Sequence, residues 1–176
     1  MRPESAATLP TFRTSRLTLR QRDMGDLHAC LAMDRDPLVT RFIRGPWEDP
    51  AAHRAFVEER IRHAYPHGMG YWSILAPSFI GWILLTPLDL HGPGIEMGWR
   101  LIRKAWGHGY ATEAARPVLN HAFRALALER IIADIDPDNT ASIRVALKLG
   151  FSPDGAVPYG ERTVIRYIAT VAEASA

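Results

Sequence analysis

Apolar and polar residues alternate with period two along Arg16-Leu17-Thr18-Leu19-Arg20, which predicts a half-buried strand. Asp23 is placed to cap a helix whose apolar face carries Leu27, Cys30 and Leu31. The Asp36-Pro37 step breaks that pattern, and residues 38–47 mix bulky apolar side chains with Gly45 and Pro46, as an ordered loop or short helical turn does. A second helix is predicted after Asp49-Pro50, with Pro50 tolerated at its first position, running past Phe56, Val57 and Ile61 to the Pro66-His67-Gly68 breaker.

Two strands, 71–75 and 79–85, are joined by Ala76-Pro77-Ser78 as a hairpin, and another runs from Ile95 to Leu101. A glycine-rich turn then leads into a helix over about 108–126, with Pro117 inside it and a kink expected there. Residues 130–135 form a β-branched strand, 139–149 a short helix closed by Gly150, and 163–171 a last strand. An antiparallel run followed by a strand-helix-strand crossover gives an α/β (α+β) domain with a mixed, mostly antiparallel sheet and helices on its faces. Residues 1–11 lack periodicity and read as a disordered tail; the domain is expected over 12–171, with a short tail at 172–176.

The chain has 176 residues, enough for one domain of ordinary size and too few for two. With 47% hydrophobic and 23% charged residues it can build a core and remain soluble, which excludes disorder, collagen-like repeats and coiled coils as the main class. Its 21 basic and 19 acidic residues leave a net charge of +2, too little for a nucleic-acid footprint. The single cysteine, Cys30, cannot close an internal disulfide and fits a small core residue. No apolar stretch reaches the roughly 20 residues of a membrane span, and the first eleven residues lack the apolar run of a signal peptide. A cytoplasmic protein without membrane or nucleic-acid partners is expected. Seven histidines form no metal-ligand pattern, because Pro66 breaks the helical spacing of His63 and His67.

Chemistry concentrates in Lys104-Ala105-Trp106-Gly107-His108-Gly109-Tyr110-Ala111-Thr112-Glu113, where a strand turns through two glycines into a helix. The glycines permit unusual dihedrals and close approach of a ligand, and the helix start offers unpaired N–H groups and a positive dipole end to a phosphate. The dinucleotide fingerprint fails at Thr112, and the P-loop Gly-Lys-Ser/Thr is absent. A tight strand-to-helix connection explains the glycines equally well when they are taken alone. Asn139-Thr140-Ala141-Ser142 through Lys148-Leu149-Gly150-Phe151 is the second specific segment, and a well-capped packing helix accounts for Asn139 and Gly150.

Together these segments resemble the GCN5-related N-acetyltransferase (GNAT) superfamily over residues 12–170, and within it the RimJ/RimL-type branch of ribosomal-protein N-terminal acetyltransferases. Lys104 to Gly109 is similar to its pyrophosphate loop, usually Gln/Arg-x-x-Gly-x-Gly/Ala; Thr14 to Arg20 is similar to its opening strand, Ile95 to Trp99 to its fourth, and Asn139 to Phe151 to its coenzyme-contacting helix. The resemblance implies acetyl-CoA as cofactor. It places the pyrophosphate on residues 106–111 (Trp106, Gly107, His108, Gly109, Tyr110, Ala111) with Lys104 adding charge, the pantetheine arm along Leu101 and Arg103, and Asn139 on the other side. It implies homodimers only as a family-level expectation.

Acetyl transfer to an amine needs a base and an acid for the departing thiolate. Glu96, on the strand beside the acceptor, and Ser142, on the coenzyme-contacting helix, are the candidates, although each also reads as an ordinary polar residue in its element. The tyrosine many relatives carry near the end of that helix is replaced by Ala146. Phe42, Trp47, Tyr71 and Trp72 are the candidate acceptor-pocket residues. An α-amine, about 10% neutral at pH 7, needs less help than a lysine, so the leading expectation is a protein or peptide N-terminus. A small-molecule amine such as an aminoglycoside, polyamine or amino-acid derivative is the alternative, with Arg54, Arg60 and Arg62 weighing against a polycation. A non-catalytic acyl-CoA-binding module is a third reading.

Overall fold

The computed structural model describes residues 8–171. Eight strands, β1 (Phe12–Arg13), β2 (Thr18–Gln21), β3 (Gly70–Leu75), β4 (Phe79–Pro87), β5 (Ile95–Leu101), β6 (Arg130–Ile135), β7 (Ser152–Tyr159) and β8 (Arg162–Thr170), form one sheet in the order β1-β2-β3-β4-β5-β6-β8-β7. Every neighbouring pair is antiparallel except β5 and β6, so the expected mixed, mostly antiparallel sheet is present. Among the described residues the sheet is joined by five α-helices: α1 (Leu27–Asp34), α2 (Pro37–Thr40), α3 (Pro50–Arg62), α4 (Tyr110–Arg124) and α5 (Thr140–Lys148).

Period-two alternation divides the interior into two cores. In β3 and β4, Trp72, Ile74, Ile83 and Leu85 point to one face, where they meet Ala114, Ala115, Val118 and Ala122 of α4 and Ala146 of α5. Tyr71, Trp82 and Leu84 point to the other and meet Leu27, Cys30 and Leu31 of α1 and Val57 of α3. β4 is buried from Ile80 to Thr86 because both its faces are covered. Cys30, 1% exposed, is a core residue, and burial pushes its thiol up to about 11.

Local chemistry sets the helix starts. Asp23 accepts from Gly25 N–H while Asp26 reaches back to the Asp23 N–H, a capping box on the 3₁₀ turn Met24–Asp26 that leads into α1, so Asp23 caps this turn and not α1 directly. Asp36 and Asp49 each cap a helix that opens with proline. α4 runs unbroken across Pro117.

Three features depart from the sequence expectations. Leu9 is 5% exposed, its N–H donates to Gln21 Oε1 at 2.9 Å, and the Pro10 carbonyl accepts from Trp72 Nε1 at 2.8 Å; residues 8–11 are therefore anchored where a tail was expected. The rest of that tail and residues 172–176 lie outside the described residues. β7, to which the sequence pattern assigns no element, holds Pro153, Gly155 and Pro158 and is a strand at the sheet edge paired only with β8, where a missing N–H breaks no ladder. β1 is too short to carry a pattern.

Candidate active site between the parallel strands

The site starts from an irregularity in the sheet. The parallel pairing of β5 and β6 is confined to Glu96 opposite Ile132. Beyond it, β5 residues 97–100 and β6 residues 133–135 line a cavity of about 390 Å³. A cleft of about 480 Å³ continues from it, along Leu101 and the loop to α4 on one side and α5 on the other. The two spaces share Phe42, Ile43, Trp99, Arg100, Asn139 and Ser142.

The cleft presents open backbone N–H groups at a helix start. Gly107 and Gly109 both have φ of 77°, a left-handed conformation that disfavours any side chain. A Cβ on Gly107 would meet nothing within 4 Å, so the backbone there is open to a ligand. Gly109 caps α4 with no side-chain hydrogen bond, leaving first-turn N–H groups for a ligand at the positive end of the helix dipole. Facing this loop, Thr14, Ser15 and Arg16 all bond to the Glu113 carboxylate, with Arg16 Nε at 2.7 Å. The Arg16 guanidinium also lies 4.5 Å from the centre of the Tyr110 ring. Across the cleft, Asn139 Oδ1 accepts from Ser142 N–H at 3.2 Å, which fixes the first turn of α5.

Glu96 lines the polar end of the 390 Å³ cavity together with Asp89, Asp134, Asp136 and Arg166. Burial pushes its carboxyl up to about 7, Asp134 and Asp89 add repulsion, and Arg166 opposes the rise. Arg166 is itself tied to Asp134 by two hydrogen bonds of 2.8 and 2.7 Å, a bidentate grip that offsets the Asp134 charge. The other end of the cavity is cationic, with Arg22, Arg60 and Arg100. Arg100 donates to Asp34 at 2.6 Å, and His53 Nε2 lies 3.2 Å from the same carboxylate.

Of the candidate coenzyme residues, the structure brings Leu101, Trp106, Gly107, Gly109, Tyr110, Ala111 and Asn139 to the cleft. Arg103, Lys104 and His108 do not line it. Arg103 is paired with Asp36 at 3.1 Å, Lys104 is exposed, and the exposed His108 ring packs 5.6 Å from that of Tyr110. The Leu101 carbonyl accepts from Trp106 Nε1 at 2.9 Å.

Of the acceptor candidates, Phe42 and Tyr71 line the cavity. Trp72 is corrected: it is 0% exposed in the opposite core, since neighbouring strand residues face opposite ways. Trp47 stands behind the cavity, against His53, Phe56 and the Arg100 guanidinium. Arg22, Arg100, Asp134 and Arg166 escaped the sequence reading. A lone acid within Arg-Ile-Ile-Ala-Asp-Ile was the available signal for Asp134, and for Arg22 it was the continuation beyond Arg20 of the period-two register.

No described helix is long and apolar enough to cross a membrane, and no described group of three His, Cys, Asp or Glu residues is placed to hold a metal.

Residues 16–152 match the family model described as an acetyltransferase (GNAT) domain. The chain is 29% identical over 164 residues to the uncharacterized N-acetyltransferase p20 of Bacillus licheniformis, an alignment covering 91% of this chain and 92% of p20. The crystal structure of an acetyltransferase from Agrobacterium tumefaciens shares 28% identity and a TM-score of 0.73, over 96% of this chain and 99% of that one. A spermidine N-acetyltransferase from Vibrio cholerae, solved with CoA and spermine, has the same fold at 17% identity and a TM-score of 0.74, over 93% of this chain and 100% of that one. With a family match across most of its length and relatives aligned nearly end to end, the chain belongs to the GNAT acetyltransferases, which use acetyl-CoA, and it is an N-acetyltransferase.

Proposed function

We propose that the chain acetylates the α-amine of a peptide N-terminus or of a small amino-acid-like molecule, with acetyl-CoA in the glycine-loop cleft and the acceptor in the cavity beside Glu96. The observation that carries this reading is the junction: an anion-binding helix start opens one space, a carboxyl tuned near neutrality lies in the other, and both meet at Asn139 and Ser142. When bound, acetyl-CoA supplies a thioester, so a C–N bond forms as the C–S bond breaks, giving an acetamide, a free thiol and a proton.

Each residue has a role in this reading. The amides of residues 107–111 hold the pyrophosphate, and Asn139 and Leu101 flank the pantetheine arm. Lys104, Arg103 and His108, outside the cleft, supply at most a favourable field. Glu96 takes the ammonium proton, since a group with a pKa near 7 is both partly ionised and basic enough at neutral pH. Ser142 holds a proton at Oγ for the departing sulfur. Phe42 supplies apolar wall, and Tyr71 an aromatic wall that carries a hydroxyl.

The acceptor class rests on two observations. The resemblance to RimJ/RimL-type enzymes favours a peptide α-amine. The cavity, at about 390 Å³ near the small end of ligand pockets, favours an amino-acid-sized group, free or terminal. Purified protein with acetyl-CoA and a panel of α-amines, polyamines and aminoglycosides, followed by free thiol, tests the reading. Turnover with α-amines is expected; thiol release that no amine raises above background overturns it.

A further inference from the structure

Three buried side-chain nitrogen or oxygen atoms among the described residues lack a hydrogen-bond partner: Arg22 Nε, Arg22 Nη2 and Arg100 Nε. All three are guanidinium nitrogens, and both residues line the acceptor cavity. Arg22 is 5% exposed. Its guanidinium lies 3.7 Å from the centre of the Tyr71 ring and 5.9 Å from that of Trp82, contacts with aromatic faces that carry no net charge.

The acids around Arg22 form no ion pair with it among the described residues. The Cys30 thiol, which the Arg22 guanidinium meets by a hydrogen bond, and the Tyr71 hydroxyl are both pushed up by burial and stay neutral. Asp26 is held by both terminal nitrogens of Arg20 and by the Ser73 hydroxyl. Asp34 is held by Arg100 and His53. A guanidinium held out of water without an anion is unfavourable, and an anionic ligand removes that penalty.

The free atoms define the ligand. Nε and Nη2 form the side edge of the guanidinium, the edge by which Arg166 grips the Asp134 carboxylate in this same chain. Two parallel N–H donors match a carboxylate. Arg22, Tyr71 and Glu96 line one cavity, so the cation and the proposed base face the same space. We propose that the acceptor is an amine bearing its own carboxylate, with the carboxylate seated on Arg22 Nε and Nη2 and the amine presented to Glu96. This deepens the proposed transfer reaction and rests on it.

The test uses the full chain, acetyl-CoA and matched acceptors: free amino acids, the same amino acids as carboxamides, and short peptides. Carboxamides have the less basic amine, so amine reactivity alone favours them. The expected result is a kcat/KM at least tenfold higher for the free acid, expressed mainly in KM, with that advantage falling to within about twofold in Arg22→Gln. Equal or better use of carboxamides or peptides by the wild-type enzyme overturns the inference and leaves acetyl transfer standing. Failure to acetylate any amine overturns both. The wild-type comparison decides the matter even where Arg22→Gln does not fold.

Discussion

Glu96 stands opposite Ile132 at the parallel pairing of β5 and β6, so the strand that delivers this carboxyl leaves its neighbour just beyond it. The location holds the group in a poorly solvated cavity beside Asp134 and raises its pKa from 4.5 to about 7. A carboxyl whose folded pKa lies above its unfolded value favours folding when protonated, and that contribution is lost as pH rises from about 4.5 through about 7. Glu96→Gln removes the penalty of ionisation, at about 1–2 kcal/mol above neutrality after allowance for partial solvation. Thermal melts are expected to show a Tm about 3–6 °C higher for Glu96→Gln at pH 8 and no difference at pH 4.

The Glu113 carboxylate ties Thr14, Ser15 and Arg16 to the first turn of α4. Desolvation works against its charge, and the hydrogen bonds from Thr14 and Arg16 overcome it, holding the carboxyl below its ordinary range. Glu113→Ala frees the Arg16 side chain from the Tyr110 ring and loosens the loop. It is expected to raise the KM for acetyl-CoA about 3- to 10-fold with little change in kcat, and to lower stability by about 1–2 kcal/mol.

Two glycines with positive φ separate fold from site. An alanine Cβ at Gly81 would lie 2.1 Å from the Arg100 carbonyl oxygen, a backbone clash between β4 and β5, so Gly81→Ala is expected to abolish soluble expression. At Gly109 the nearest atom is Arg16 Nη2 at 3.7 Å, a flexible side chain. Gly109→Ala is expected to fold with a loss of about 1–2 kcal/mol from the left-handed backbone. Calorimetric titration should show CoA binding weakened at least tenfold.

Neighbours on β3 should respond differently. Trp72→Phe leaves a void in the α4-facing core and removes the hydrogen bond to the Pro10 carbonyl, a loss of about 1–3 kcal/mol with the acceptor KM unchanged. Tyr71→Phe removes a hydroxyl from the cavity side and is expected to change the acceptor KM more than the Tm. The reverse pattern would place the cavity on the wrong face of the sheet.

Where regular patterns dominate, the fold was legible from the chain itself. The period-two stretch at β2, the β3–β4 hairpin and β5, the start of α3 after Asp49-Pro50, and the glycine turn into α4 all stand where their chemistry puts them. β7 was hidden because edge strands tolerate Pro153 and Pro158, so its composition imitates a loop. The cleft was legible as a backbone feature at Gly107 and Gly109. Side-chain partners across the fold were not: Arg103 turns to Asp36, 67 positions earlier, and Arg22 stacks on Tyr71 across a strand pair. Neither contact leaves a local signature. Trp72 and Tyr71 differ in role through strand parity, which aromatic character alone does not reveal.

The proposed role of Glu96 as the base facing the acceptor amine is read out by the pH dependence of kcat/KM with an α-amine acceptor. The wild-type profile is expected to rise through an ionisation near pH 7. In Glu96→Gln that limb should vanish and the rate at pH 7.5 should fall about 10- to 100-fold, at the low end of general-base effects because the α-amine is already partly neutral. A Glu96→Gln enzyme that keeps the wild-type rate and the same limb would contradict the account.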